Sequence, residues 1–176
     1  MMDCLLIRHG IAVAPEEWQG SEESRPLTEK GKKRVRQVAA GLATLTCKPT
    51  HLLSSRFLRA YETARLLRRI VCPSIKVETC DELAVGSTPE QLISLLRSLP
   101  LESVVMCVGH EPLLGEVASI LLCGKPTSNF SVRKAGAALI HLTGSVKPGQ
   151  GLLRWWLPPA QLRALGKGGN KADEPE

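Results

Sequence analysis

The sequence predicts an α/β fold, a three-layer sandwich in which helices flank both faces of a mostly parallel central sheet. Apolar runs too short for a helix alternate along the chain with longer segments whose apolar residues recur every three or four positions. This alternation is typical of a parallel sheet, whose ligands bind beyond the carboxyl ends of its strands. The 176 residues fit a single domain, which we place at residues 1–165, followed by a disordered tail over residues 166–176.

Two strand-to-helix units are predicted in the first half of the chain. Cys4 to Ile7 is a four-residue apolar run that ends at Arg8-His9-Gly10, which indicates a buried strand followed by a polar loop. Thr28 is suited to cap the first helix. His51 to Ser54 repeats the strand pattern, and the apolar positions between Leu58 and Leu67 have helical spacing.

The second half of the chain continues this order and then closes the sheet. Ile75 to Thr79 alternates like a strand, and Thr88-Pro89 is a capping residue followed by a first-turn proline that together begin a third helix. Val104 to Val108 is a fourth buried strand, and a fourth helix follows it. Ala137 to Leu142 and Leu152 to Leu157 are separated by turn residues, so they are expected to pair as a closing hairpin.

Composition and charge exclude several classes of function. The longest apolar runs are far shorter than the ~18 to 20 residues that cross a bilayer, so we expect a soluble, cytoplasmic protein without a membrane segment. A net charge of +6 can attract anions, but the aromatic content of 3% offers no stacking platform for nucleic acid. The six cysteines contain no C-x-x-C pair and fit reduced thiols. The basic cluster from Lys30 to Arg36 indicates a solvated helix face, with a docking patch for an acidic partner as the alternative.

Two histidines and an arginine follow strand ends and are therefore candidate site residues. His9 follows the first strand and His110 the fourth, so the topology predicts that both lie in one crevice. Arg59 stands early in the helix after the second strand, where the helix dipole favours anions. Because arginine donates hydrogen bonds in pairs to a phosphoryl group and keeps its charge, these residues predict an oxyanion pocket.

Four blocks of the chain carry a resemblance to a known family: Leu6 to Gly10, Ser24 to Gly31, Ser55 to Ala64 and Val108 to Pro112. Together they resemble the histidine phosphatase (phosphoglycerate mutase-like) superfamily and, within it, the small SixA-type phosphohistidine phosphatases. The resemblance spans residues 4 to about 122 and implies the phosphoglycerate mutase-like fold.

The resemblance also implies a covalent mechanism, with roles for four residues. His9 is the nucleophile that attacks phosphorus in line, and water later hydrolyses the phosphohistidine. Arg8, Arg59 and His110 are implied to hold the phosphoryl oxygens in the transition state. The imidazole of His9 must be neutral to attack, and nearby guanidinium groups disfavour its protonated form.

Two further site residues have open alternatives. Arg25 looks like an additional phosphate contact, and the alternative is a salt bridge to one of three nearby carboxylates, Glu22, Glu23 or Glu29. Glu82 is the closest match to the carboxylic acid by which larger family members protonate the leaving oxygen. The residues after Gly86, Ser87-Thr88-Pro89, depart from the family pattern, so the alternative for Glu82 is a surface residue beside a loop.

The sequence thus predicts a phosphatase for protein phosphohistidine that uses neither a metal nor another cofactor. Its partner is a phosphohistidine-bearing protein or a small phosphorylated substrate; the alternatives are a phosphomonoesterase for small molecules and a non-catalytic phosphoryl-binding module. No paired carboxylates or H-x-x-H spacing supply a set of metal ligands, which disfavours a metal-dependent hydrolase. The loops leave little length for a lid, which favours an open pocket for a protein-borne phosphoryl group.

Overall fold

The computed structural model describes residues 1–45 and 48–168 of the chain. In these residues the strands are β1 (Met2–Arg8), β2 (His51–Ser54), β3 (Val77–Thr79), β4 (Val104–Gly109), β5 (Ala137–Leu142) and β6 (Gly151–Leu157). The α-helices are α1 (Glu29–Leu45), α2 (Leu58–Val71), α3 (Pro89–Ser98), α4 (Leu113–Cys123) and α5 (Pro159–Gly168). Two short 3-10 helices cover Pro15–Glu17 and Asp81–Leu83.

The strands form one sheet in the order β3-β2-β4-β1-β5-β6. All pairings among the first four strands, β1–β4, β2–β4 and β2–β3, are parallel. β5 and β6 run antiparallel to their neighbours. The mostly parallel sheet and the closing hairpin predicted from the sequence are thereby confirmed, although β3 begins at Val77 rather than Ile75. Arg8 pairs with Gly109, so β1 and β4 end together at one edge of the sheet.

Alternate side chains of β1 pack into two cores, one on each face of the sheet. Cys4 and Leu6 join the buried residues of α3 and α4, and Leu5 and Ile7 join those of α1, α2 and α5. This is the predicted arrangement of three layers. A strand covered on both faces needs apolar side chains at every position, which explains the continuous apolar run in the sequence.

The predicted helix starts are confirmed at two threonines. The hydroxyl of Thr28 accepts a hydrogen bond from the Gly31 amide at 2.9 Å, immediately before α1. Thr88 and Gln91 form a reciprocal capping box at the start of α3. None of the helices in the described residues is long and apolar enough to cross a membrane.

The C-terminal end of the described chain differs from the prediction, because α5 was not anticipated. The helix buries Leu162 against α1, and the close approach depends on a glycine. A Cβ on Gly41 would lie 1.8 Å from the carbonyl oxygen of Leu162. Gly166 to Gly168 therefore belong to a packed helix, which corrects the predicted start of the tail at residue 166. The rest of the predicted tail, residues 169–176, lies outside the described residues.

Candidate active site

His9, Arg59 and His110 lie together at the carboxyl edge of the sheet. The rings of His9 and His110, which follow β1 and β4, have centroids 5.1 Å apart. Arg59 stands in the first turn of α2, and its Nε lies 3.4 Å from Nε2 of His9. All three side chains are buried, with exposures of 6%, 4% and 4%. Residues far apart in sequence meet here because parallel strands bring their carboxyl ends to one edge.

Hydrogen bonding determines which nitrogen of His9 faces Arg59. Nδ1 of His9 lies 2.7 Å from the carbonyl oxygen of Gly10, and a carbonyl only accepts, so Nδ1 carries the proton. Nε2 keeps its lone pair and faces the Arg59 guanidinium. Burial lowers the pKa of His9 to about 3, and the charges of Arg59 and Arg8 act in the same direction against the opposing bond to Gly10. The ring is therefore neutral at pH 7, with an unprotonated nitrogen directed into the site.

Ser55 sets the orientation of His110. Its hydroxyl oxygen accepts a hydrogen bond from the Phe57 amide at 3.2 Å and lies 2.8 Å from Nε2 of His110. When the hydroxyl donates its own proton to Nε2, Nδ1 of His110 carries the ring proton. This Nδ1 is buried and has no hydrogen-bond partner among the described residues. Burial lowers the pKa of His110 to about 3, so the ring is neutral. In the tautomer with the proton on Nδ1 it offers one unpaired N–H donor.

Arg8 brings a second guanidinium to the site from the end of β1. One of its terminal nitrogens donates to the carbonyl oxygen of Val132 at 3.2 Å, and Val132 in turn donates its amide to Glu111 at 2.7 Å. The Nε of Arg8 is buried without a partner in residues 1–45 and 48–168. The charge of Arg8 lowers the pKa of both site histidines, which places it within electrostatic reach of the pair.

Glu22 places a carboxylate against two arginines of the site. Its Oε1 lies 2.6 Å from a terminal nitrogen of Arg25 and 3.0 Å from one of Arg59, and its Oε2 lies 2.8 Å from Nε of Arg25. The hydrogen bond from Arg25, with a contribution from Arg59, lowers the pKa of Glu22. The salt-bridge alternative for Arg25 is thus present in the structure. The phosphate contact proposed for the same residue stays a prediction.

Glu82 lies beside a different group of residues from the two histidines. With Arg56 and Asp81 it lines a cavity of about 660 Å³. Arg56 pairs with Asp81 and, at 3.1 Å, with Glu23. Within the described ranges no hydrogen bond or ion pair joins Glu82 to the histidines or to Arg59. Its assignment as a proton donor stays a prediction.

Sequence reasoning gave no site role to Ser55 or Thr63, and it named Glu22 only as one of three possible salt-bridge partners of Arg25, without its contact to Arg59. Thr63 accepts from the Gly10 amide at 3.0 Å and donates to the Arg59 carbonyl at 2.7 Å, so it ties the loop after β1 to α2. The position of Thr63, four residues after Arg59 on the same face of α2, is the feature of the sequence that could have indicated its role. Ser55 directly follows β2, the usual place for a site residue. No local pattern indicated that Glu22 contacts Arg59.

Acid should destabilise the fold through His9 and His110. Both have folded pKa values of about 3 and an ordinary unfolded value of 6.5, so the unfolded chain binds their protons first. Their contribution is complete above pH 6.5 and is lost as the pH falls toward 3. We expect urea unfolding to show a loss of about 1.4 kcal/mol for each histidine between pH 7.5 and pH 5.5.

His110→Gln should remove the share of the pH dependence that His110 contributes and leave the share of His9. A free energy of unfolding that stays constant over this pH range would contradict the burial of two neutral imidazoles.

Comparisons with known proteins agree with the expected fold class and family. The family model of the histidine phosphatase superfamily (branch 1) matches residues 4–131. An uncharacterized protein from Picosynechococcus sp. is 29% identical over 142 residues, which cover 77% of this chain and 82% of that protein. The phosphohistidine phosphatase SixA of Escherichia coli (strain K12) is 25% identical over 164 residues, covering 92% and 97%. The solved structure of the protein histidine phosphatase SixA complexed with tungstate superposes with a TM-score of 0.79 at 26% identity, covering 92% of this chain and 99% of that one.

Proposed function

Since this chain belongs to the histidine phosphatase superfamily, we propose that it is a phosphohistidine phosphatase that moves the phosphoryl group of a protein histidine to its own His9 and then to water. The observation that carries the proposal is the unprotonated Nε2 of His9, fixed by the bond from Nδ1 to Gly10 and lying 3.4 Å from Arg59. A neutral imidazole nitrogen beside a buried guanidinium combines a nucleophile with a ligand for the group it attacks.

In the first step, the lone pair on Nε2 of His9 forms a bond to phosphorus while the P–N bond of the substrate breaks. The electron pair of that bond stays on the leaving imidazole nitrogen. Arg8, Arg59 and the free N–H of His110 donate to the three equatorial oxygens, whose charge is redistributed in the transition state. The backbone carbonyls of Val132 and Glu22 hold Arg8 and Arg59, and the Ser55 hydroxyl holds His110. Little reorganisation of these donors is therefore needed during the reaction.

In the second step, water attacks the phosphorus atom and the bond to Nε2 of His9 breaks. The electron pair returns to Nε2, the proton from water is taken up by phosphate or solvent, and inorganic phosphate is released. The hydrogen bond from Nδ1 to the Gly10 carbonyl holds the ring through both steps. It also stabilises the positive charge that the ring carries while it is phosphorylated.

Two observations favour a phosphohistidine substrate over a phosphate ester. An imidazole leaving group needs less protonation than an alkoxide. The carboxylate in contact with Arg59 is that of Glu22, and because its lowered pKa keeps it ionised, it has no proton to give to an alkoxide. The SixA relatives support the same substrate class: one is named a phosphohistidine phosphatase, and the other was solved with tungstate, a tetrahedral oxyanion like phosphate.

The test is a comparison of kcat/KM across four substrates, each assayed with and without EDTA. We expect the highest value for a phosphohistidine-bearing protein, ahead of phosphotyrosine peptide, p-nitrophenyl phosphate and phosphoglycerate. EDTA should not change the rates, because arginines supply the positive charge that a metal ion would otherwise provide. A preference for phosphoglycerate would indicate a small-molecule phosphomonoesterase. Binding of all four without turnover would indicate a phosphoryl-binding module.

A further inference from the structure

We propose that Glu22 is an internal competitor for the phosphate cradle, defined as Arg8, Arg59 and His110, and that it weakens the binding of phosphate so that product leaves. This inference rests on the proposed function, because it takes the phosphoryl group as the ligand of the cradle. It concerns the loop before α1, which the mechanism above does not use for chemistry. Its basis is the ion pair between the Glu22 carboxylate and the arginine that also faces His9.

Glu22 contacts both terminal nitrogens of Arg59. The carbonyl oxygen of Glu22 accepts from one terminal nitrogen at 2.9 Å, and its carboxylate lies 3.0 Å from the other. Nε of Arg59 faces His9 at 3.4 Å. A guanidinium has five N–H donors. In Arg59 two of them make hydrogen bonds, to the Glu22 carbonyl and to His9, and the second terminal nitrogen forms the ion pair with the Glu22 carboxylate. A phosphoryl group must therefore share Arg59 with the carboxylate or displace it.

Charge makes this sharing unfavourable. The bond from Arg25 and the charge of Arg59 lower the pKa of Glu22, so its carboxylate is ionised at pH 7. A phosphoryl group carries up to two negative charges, and like charges that share one arginine repel each other over a few ångströms. The Glu22 side chain is 52% exposed whereas that of Arg59 is 4% exposed, so the carboxylate lies on the solvent side and can move outward.

The loop that carries Glu22 is held in place by its main chain. The Leu58 amide donates to the carbonyl oxygen of Glu23 at 2.8 Å, and Arg59 donates to the carbonyl oxygen of Glu22. A side-chain substitution at residue 22 leaves both bonds possible. Glu23 is the matched control, because its carboxylate pairs with Arg56 at 3.1 Å and makes no ion pair with Arg25 or Arg59 in the described residues.

The experiment measures inhibition by inorganic phosphate during hydrolysis of p-nitrophenyl phosphate at pH 7. Glu22→Gln and Glu22→Ala should lower the inhibition constant for phosphate by about tenfold, the factor expected from removing one repulsive interaction of this size. In the same two variants, the KM for p-nitrophenyl phosphate should also decrease. Glu23→Gln should keep the wild-type constants. Damage to the fold would raise the inhibition constant, so tighter binding separates competition from a structural role.

Two outcomes overturn the inference and are distinguishable from each other. An active, phosphate-inhibited wild type whose Glu22 variants bind phosphate equally well or more weakly would show that the carboxylate aligns Arg25 and Arg59, while the proposed function stands. A wild-type protein that hydrolyses none of the four substrates named under the proposed function and does not bind phosphate would overturn the proposed function, and the inference with it.

Discussion

Replacing His9 with alanine is expected to lower kcat on the order of 10⁴-fold or more, because the substitution removes the nucleophile itself. We do not expect His110 to replace it. When the Ser55 hydroxyl donates to Nε2 of His110, the ring proton is on Nδ1, and neither nitrogen then offers a lone pair to phosphorus. In His9 the bond to Gly10 places the proton on Nδ1 and leaves Nε2 unprotonated.

The direct measurement is the phosphoenzyme. Brief exposure to labelled substrate should leave a label on the wild-type protein that is stable in alkali and lost in acid, as expected of phosphohistidine. His9→Ala should carry no label, whereas His110→Ala should still bind substrate and become labelled slowly. Labelled His9→Ala protein would refute the assignment of the nucleophile.

The parts of this site that could be predicted from the sequence are those fixed by topology. His9 and His110 each follow a strand that is buried on both faces, and such strands appear as continuous apolar runs. Once the runs indicate a parallel sheet, the carboxyl ends of β1 and β4 must share an edge, and residues placed there must approach each other. The same reasoning brings Arg59 to the site from the start of α2.

The parts that could not be predicted depend on contacts between loops distant in sequence. Glu22 reaches Arg59 because its loop is bonded to the start of α2, a contact that no local pattern encodes. Glu82 was assigned through the likeness of its segment to larger family members, and its role as a proton donor stays a prediction; in the structure it lines a cavity together with Arg56. α5 was missed because only Leu162 is buried among its ten residues and its last turn contains Gly166 and Gly168, which are poor helix formers.

Replacing Arg59 with alanine is expected to lower kcat/KM by about 10²- to 10³-fold, the usual loss when a buried transition-state donor is removed. Arg59→Lys should recover little, because an ammonium group lacks the planar fork that reaches His9 and the phosphoryl oxygens together. Arg56→Ala is the matched control, since Arg56 is exposed and pairs with Glu23 and Asp81. Steady-state kinetics with p-nitrophenyl phosphate checks all three variants. Equal losses in Arg59→Ala and Arg56→Ala would show that general positive charge, rather than the contact with His9, sustains the reaction.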